Sequence, residues 1–94
     1  MLRFEWDEKK NRLNRKKHGV WFEEAQQVFE DKHALIYFDA EHSDEEERFI
    51  LLGASAHDRI LVVVHCECDE NQVIRIISAR KAKPREKMNY EKGI

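Results

Sequence analysis

The first thirty residues change from a strand-like to a helix-like pattern of apolar positions. Every second residue from Leu2 to Trp6 is apolar, which predicts a short, half-buried strand. Asp7 can cap a following helix, and Gly19 supplies the left-handed residue that commonly ends one. A second helix is predicted over residues 22–30, where the apolar side chains share one face.

From residue 34 onward the pattern changes to β-branched and aromatic runs separated by turn residues. These runs predict four strands, over residues 34–39, 48–55, 60–68 and 73–79. Short connectors between the later strands favour hairpins, so the four strands are expected to run antiparallel in sequence order. Pro84 marks the start of a last helix. The predicted order is therefore β-α-α-β-β-β-β-α, an α+β domain with helices packed on an antiparallel sheet.

Length and composition narrow the class of protein. Ninety-four residues suffice for one domain, residues 1–94, and are too few for two. No apolar run approaches the roughly 18 residues that a membrane span needs, and the amino terminus lacks a signal core. We therefore expect a cytoplasmic protein that does not contact a membrane. Cys66 and Cys68 are too close in sequence to staple a fold, which excludes a disulfide scaffold.

Charge is strongly segregated although the net charge is only −2. Residues 1–20 carry seven Lys/Arg and three acids, whereas residues 21–47 carry one lysine and ten acids. Residues 80–94 are basic again, with six Lys/Arg and two acids. Such segregation permits a basic surface on a nearly neutral protein, so the low net charge does not exclude a polyanionic partner such as nucleic acid.

Two basic segments are candidates for phosphate contacts. The helix of residues 9–19 is rich in lysine and arginine, although its charges are equally typical of a solvated helix face. The segment 73–86 places Arg75 inside an apolar strand, and Arg48 starts another strand under the same constraint. A buried guanidinium must be paired with an acid or line an open groove. Both readings stay open, with Glu47 or Glu67 as the possible acid.

Histidine and cysteine give weaker signals. His42 and His65 could move protons near neutral pH, but neither belongs to a catalytic spacing. Cys66 and Cys68 share a strand face without a CxxC pair or an HxxxH pair, so small buried side chains explain them better than a metal does. Motifs of nucleotide-binding loops and serine nucleophiles are absent. We expect no metal ion and no other cofactor.

Several motifs together resemble one protein family. They are FEWDEKKNRLNRKKHGVWFEEAQQVFED at residues 4–31, DAEHSDEEER at 39–48, LLGAS at 51–55, and IRIISARKA at 74–82, followed by Glu86 and Tyr90. In this order they are similar to the BrnT family, toxins of bacterial type II toxin-antitoxin modules with a RelE-like ribonuclease fold. The resemblance covers nearly the whole chain.

The resemblance implies an endoribonuclease that cuts cellular RNA, slows translation and is neutralised by a BrnA-type antitoxin. Promoter DNA would then be contacted only through the antitoxin. Metal-free cleavage would use the RNA 2′-hydroxyl as nucleophile, with cations holding the charge that develops on the phosphate. The family positions name the catalytic candidates Arg48, Arg75, Arg80, His42, Glu86 and Tyr90. The RNA-binding candidates are Lys10, Lys17, Lys81 and Lys83.

The family pattern, the geometry of the last strand and an alternative function each bear on this expectation. Many family members carry an arginine where this chain has Cys68 and an aromatic residue where it has His65. Losing such a cation would weaken a phosphate clamp by about 1.5 to 3 kcal/mol. Strand alternation puts Arg75 and Arg80 on opposite faces unless a bulge near Ser78 turns the strand. The alternative function is a non-catalytic protein that complexes an antitoxin and modulates its promoter binding.

Overall fold

A computed structural model gives the fold and describes residues 2–42, 46–70 and 72–94. The strands are β1 (Arg3–Glu5), β2 (Leu35–Phe38), β3 (Arg48–Ala54), β4 (Ile60–Cys68) and β5 (Val73–Lys81). The helices are α1 (Glu8–His18), α2 (Phe22–Gln27) and α3 (Pro84–Lys92). This order confirms the predicted α+β class and its sequence of elements. None of these helices is both long and apolar enough to cross a membrane.

The five strands form one sheet in the order β1-β5-β4-β3-β2. Strands β2 to β5 pair antiparallel in sequence order, as the short connectors predict. Strand β1 adds to β5 in parallel, so the sheet is mixed rather than wholly antiparallel. Parallel neighbours need a long crossover, and here the chain between β1 and β5 includes two helices and three strands. A three-residue strand carries no pattern that would reveal this pairing.

Helix ends follow local chemistry with one difference from prediction. The Asp7 carboxylate accepts a hydrogen bond from the Lys9 N–H at 2.8 Å, and Gly19 ends α1 with φ of 74°. The second helix is α-helical only to Gln27 and tightens into a 3-10 turn over Val28–Glu30. Such tightening is common at helix ends because it gives the last carbonyls a partner.

Helices α1 and α2 cover one face of the sheet, which we call the helix face. Its core consists of buried apolar side chains: Val20, Phe22, Ala25, Val28, Leu51, Leu61, Val63, Ile74, Ile76 and Ala79. Helix α1 contributes two buried asparagines, while Leu13, the one apolar residue in the helix, is exposed. Asn14 Nδ2 donates to the Val20 and Ala79 carbonyls at 2.9 and 2.8 Å. Polar bonds therefore hold a helix that has no apolar stripe.

The opposite face, which we call the α3 face, is covered at one end. Leu52, Val62 and Ala82 form a small cluster there, with Tyr90 of α3 packed against it. Further along the same strands this face carries polar and charged side chains. The candidate site lies at this polar end of the α3 face.

Candidate active site

The two strand arginines lie in one row across the sheet. Arg48 of β3 pairs with Cys66 of β4, and Cys66 pairs on its other side with Arg75 of β5. Residues directly opposite each other in neighbouring strands project from the same face. Arg48 and Arg75 therefore flank Cys66 on the α3 face, and we call these three residues the arginine row.

A bulge in β5 brings Arg80 to the same face as Arg75. Val64 pairs with Ser78 and His65 pairs with Ile76, so Ile77 is an extra residue in β5. Arg80 consequently pairs with Val62, and Val62 shares its face of β4 with Cys66. The two arginine positions are four β4 residues apart, roughly 13 Å along the strand. The bulge that the sequence required near Ser78 is therefore present.

Arg75 is paired with an acid that sequence reasoning did not name. Its guanidinium donates to the Glu46 carboxylate, whereas the sequence offered Glu47 or Glu67 as possible acids. The hydrogen bond from Arg75 holds the pKa of Glu46 below its usual value, and the charge of Arg48 adds to this. Glu46 therefore stays ionised at neutral pH. Burial raises the pKa of the Cys66 thiol, which keeps that group neutral.

A cavity of about 280 Å³ opens beside the arginine row. It is lined by Asp7, Lys10, Glu46, Arg48, Arg75, Ile76 and Ile77. Two acids line it, and the Asp7 carboxylate is already engaged in capping α1. Glu46 is paired with Arg75, so of the two acids it is the one whose partner is a side chain of the arginine row rather than the helix backbone. Three cations around a cavity of this size suit a phosphate.

Arg80 is engaged with α3. Its two terminal nitrogens donate to the two Glu86 carboxylate oxygens, each at 2.8 Å. Glu86 Oε1 also accepts the Lys83 N–H at 2.7 Å at the start of the helix. The hydrogen bonds from Arg80 lower the pKa of Glu86 most, and the bond from the Lys83 N–H lowers it further. Arg80 is part of a structural pair on the same face as the arginine row.

Tyr90 also has a structural contact. Its hydroxyl donates to Asp31 Oδ2 at 2.6 Å, which raises the pKa of Tyr90 to about 12. The same Asp31 oxygen accepts the Ala54 N–H at 2.8 Å. Glu86 and Tyr90 were named as catalytic candidates by the family resemblance, and these contacts favour a role in packing α3.

His42 lies at the connection between β2 and β3. It ends a 3-10 turn over Ala40–His42, and its Nδ1 is 3.1 Å from Asp39 Oδ2. The residues that follow, 43–45, lie outside the described part of the chain. The ring is exposed, and its described contact is to Asp39 rather than to the arginine row.

The four candidate lysines do not share one surface. Lys10 lines the cavity at the arginine row. Lys81 lines a different cavity with Asp58, Arg59, Ile60 and Lys87. Lys83 precedes α3 as its cap residue, and Lys17 lies in the last turn of α1. Lys10 is therefore the one of the four that the structure groups with Arg48 and Arg75.

His65 and the cysteines are in the interior or at its margin. His65 is fully buried on the helix face, with its ring centroid 4.9 Å from that of Phe29 and 6.0 Å from that of Phe49. Burial lowers its pKa. Both Cys66 and Cys68 are free thiols, and no group of three metal-ligating side chains exists within the described ranges. Cys68 follows Cys66 on the same strand face, so an arginine there would extend the arginine row.

Several motif residues have structural explanations. Asn14 binds two segments of backbone, and Asp31 binds Ala54 and Tyr90. A Cβ on Gly53 would lie 2.9 Å from side-chain carbons of Ala34 and Val28, so only glycine fits there. Glu46 is the residue that sequence reasoning missed, because nothing distinguishes it within an acidic run. The one signal was that Arg75 required an acid.

Comparisons with known proteins identify the family and agree with the fold. A sequence model of the family described as "Ribonuclease toxin, BrnT, of type II toxin-antitoxin system" matches residues 6–86. The 1.1 Å crystal structure of the Brucella abortus ribonuclease toxin BrnT is similar, with a TM-score of 0.66. The two chains share 22% sequence identity, over 88% of this chain and 99% of that one. No curated protein sequence matched the chain.

Proposed function

This chain belongs to the BrnT family of ribonuclease toxins of type II toxin-antitoxin systems, and on that premise we propose that it cleaves RNA without a metal ion. The observation that carries the proposal is the arginine row, with Arg48 and Arg75 on one face beside a cavity that Lys10 also lines. Acting on cytoplasmic RNA, such an enzyme would inhibit translation.

The proposed reaction is transfer of a phosphate ester within the RNA. The 2′-oxygen attacks the adjacent phosphorus and loses its proton to a base, while the bond to the 5′-oxygen breaks and that oxygen gains a proton. The products are a 2′,3′-cyclic phosphate and a 5′-hydroxyl end. Arg48 and Arg75 hold the phosphate oxygens, because guanidinium groups donate in forked pairs and stay charged at physiological pH.

Glu46 is the proposed base. It is ionised, exposed and bound to Arg75, so a phosphate held by Arg75 would lie within reach of its carboxylate. Lys10 is the proposed donor beside the leaving 5′-oxygen, since it lines the same cavity. This assigns one residue to each step that metal-free cleavage requires.

The other candidates take supporting places in this proposal. Arg80, held by Glu86, contacts the RNA backbone beyond the reacting phosphate, because its position is roughly 13 Å from that of Arg75 along the strand. Lys17, Lys81 and Lys83 add general attraction for RNA. Tyr90 holds α3 in place through Asp31, and His42 lies outside the reacting group.

The test is RNA cleavage by the purified protein in EDTA. We expect Arg48→Ala and Arg75→Ala each to lower the cleavage rate about tenfold or more, equivalent to about 1.4 kcal/mol of transition-state stabilisation. Arg12→Ala removes an exposed cation that does not line the cavity and should leave the rate within about twofold. Cleavage that is lost in EDTA and restored by magnesium or zinc would contradict the metal-free mechanism, as would 3′-hydroxyl product ends.

We also propose that the partner is a BrnA-type antitoxin and that promoter DNA is contacted only through it. Co-expression should give a complex that stays together in gel filtration at micromolar concentration. The complex should retard a promoter fragment on a gel, whereas the toxin alone should not. Separate elution of the two proteins, or retardation by the toxin alone, would contradict this assignment.

A further inference from the structure

The outer edge of β2 is an exposed apolar strand. In the sheet order β1-β5-β4-β3-β2 this strand pairs with β3 on one side, and no described element pairs with its other side. Ile36 is 55% exposed and Phe38 53% exposed on the helix-face side of the strand. Tyr37, 40% exposed, lies on the opposite side, where its hydroxyl donates to the Ile94 carbonyl. Large apolar side chains grouped on a surface usually mark an interface.

The backbone of β2 offers hydrogen bonds along this edge. The Asp39 N–H donates to the Arg48 carbonyl at 2.8 Å, and Tyr37 pairs with Ile50 two positions earlier. In an antiparallel pair, alternate residues point their N–H and C=O groups at the partner. The N–H and C=O groups of Ile36 and Phe38 therefore point outward, where a further strand would bind.

Protein edges of this kind are normally protected. Charged side chains, proline, bulges or a covering element usually prevent another strand from adding. The segment Leu35–Phe38 has no charge and no proline, and its register with β3 is regular. Its only protection is its length of four residues, so its exposed apolar side chains are expected to be covered by another chain.

Charge identifies the kind of occupant. Residues 21–47, which include β2, carry ten acids and one lysine. Of the described acids, Asp39 and Glu41 follow β2 directly, and Glu46 and Glu47 precede β3, the strand that pairs with β2. Two copies of this acidic edge would repel each other, whereas a cationic chain would be attracted.

We propose that β2 binds an extended segment of the protein antitoxin as a sixth strand of the sheet, with lysine or arginine at the end that meets Asp39 and Glu41. Main-chain bonds to Ile36 and Phe38 would give affinity, and apolar side chains at alternate positions would cover the exposed ones. An antiparallel arrangement is favoured because it is slightly more stable per residue. The identity of the partner rests on the proposed function, whereas the docking edge rests on the strand itself.

The test is amide hydrogen exchange in the complex with the co-expressed antitoxin. The Ile36 and Phe38 amides should exchange freely in the toxin alone and at least tenfold more slowly in the complex. Unchanged exchange at both amides in an intact complex would overturn the proposal. Protection that grows with toxin concentration, without antitoxin, would show a second copy at the edge and overturn it too.

A matched pair of variants tests the same edge. Ile36→Lys and Leu13→Lys each replace an exposed aliphatic side chain by a cation, one on β2 and one on α1. Ile36→Lys should weaken the complex at least tenfold, and Leu13→Lys should change it by less than twofold. Equal effects of the two variants would contradict docking at β2. Failure of the wild-type protein to form any complex would also refute the proposal, while RNA cleavage, measured separately, would stand or fall independently.

Discussion

The two faces of the sheet are built from alternate residues of the same strands, yet they differ in how far they are covered. The helix face is sealed, and the α3 face is partly open. On the helix face, α1 and α2 bury apolar side chains such as Leu61 and Val63 completely. On the α3 face, the same strands carry the half-buried Arg48 and Arg75, which line a cavity together with Asp7 and Lys10 from the start of α1. Covering both faces would have closed the cavity at which we propose that a phosphate binds.

In this small domain, different faces of one sheet supply the stability of the fold and the charged side chains of the candidate site. The helix face supplies cooperative burial, so the α3 face can tolerate charged side chains that stabilise the fold less. Changes to the helix face should therefore alter melting temperature, and changes to the arginine row should alter catalysis. Variants that violate this division would show where the two faces are coupled.

The largest expected effect is on the sealed face, at Asn14. β1 pairs with β5 only as far as Arg75, and beyond it the Asn14 amide binds both the N–H and the C=O of Ala79. Asn14→Leu keeps the branched shape and the number of heavy atoms of the side chain but leaves these groups and the Val20 carbonyl without their partner. Each buried unsatisfied group costs about 1 to 3 kcal/mol, so we expect a loss of about 3 kcal/mol.

Thermal unfolding measures this loss. For a domain of this size, about 3 kcal/mol corresponds to a fall in melting temperature of roughly 15 °C. Leu13→Ala, on the exposed side of the same helix, should change the melting temperature by only about 2 °C. Similar melting temperatures for the wild type and Asn14→Leu would mean that the polar anchor contributes little.

The next largest effect is expected at Glu46, on the open face. Glu46→Gln removes the proposed base and should lower the cleavage rate about 100-fold, the lower end for general base catalysis. Folding should not change, because Glu46 is exposed. Since the Glu46 pKa is lowered, wild-type cleavage should persist as pH falls and decline only below about 4.5, where the carboxylate gains its proton.

If Glu46→Gln cleaved RNA faster than the wild type, Glu46 would not be the base. Such a result would mean that Glu46 competes with the phosphate for Arg75 rather than taking a proton. Binding of a 2′-deoxy RNA analogue, which cannot react, separates the two roles. Tighter analogue binding with undiminished cleavage would assign Glu46 as a competitor.

The sealed face was largely predictable from sequence and the open site was not. Periodicity gave every helix and strand to within a few residues because apolar spacing and caps act locally. It missed that Asn14 rather than Leu13 is buried, since hydrogen bonds to β5 override side-chain polarity. The arginine row depends on cross-strand register and on the bulge at Ile77, which no local pattern encodes.

A smaller effect should show how far the open face extends. Arg80→Ala should lower cleavage about tenfold if Arg80 contacts RNA, equivalent to about 1.4 kcal/mol. Glu86→Gln weakens the same ion pair but keeps the cation, so it should lower cleavage by less than about threefold. Equal losses in both variants would mean that the pair acts only by holding α3.

The smallest effect is expected at His65, the one ionisable side chain that is fully buried in the sealed face within the described ranges. Burial lowers its pKa, so the unfolded chain binds its proton more readily than the folded one, and stability falls as pH drops below about 6.5. One linked proton changes stability by at most about 1.4 kcal/mol per pH unit.

His65→Phe keeps an aromatic ring beside Phe29 and Phe49 but cannot titrate, so its melting temperature should vary less between pH 5 and 7 than that of the wild type. The lowered pKa values of Glu24 and Glu86 keep those carboxylates from titrating in this window. An unchanged slope in His65→Phe would place the pH dependence outside the sealed face.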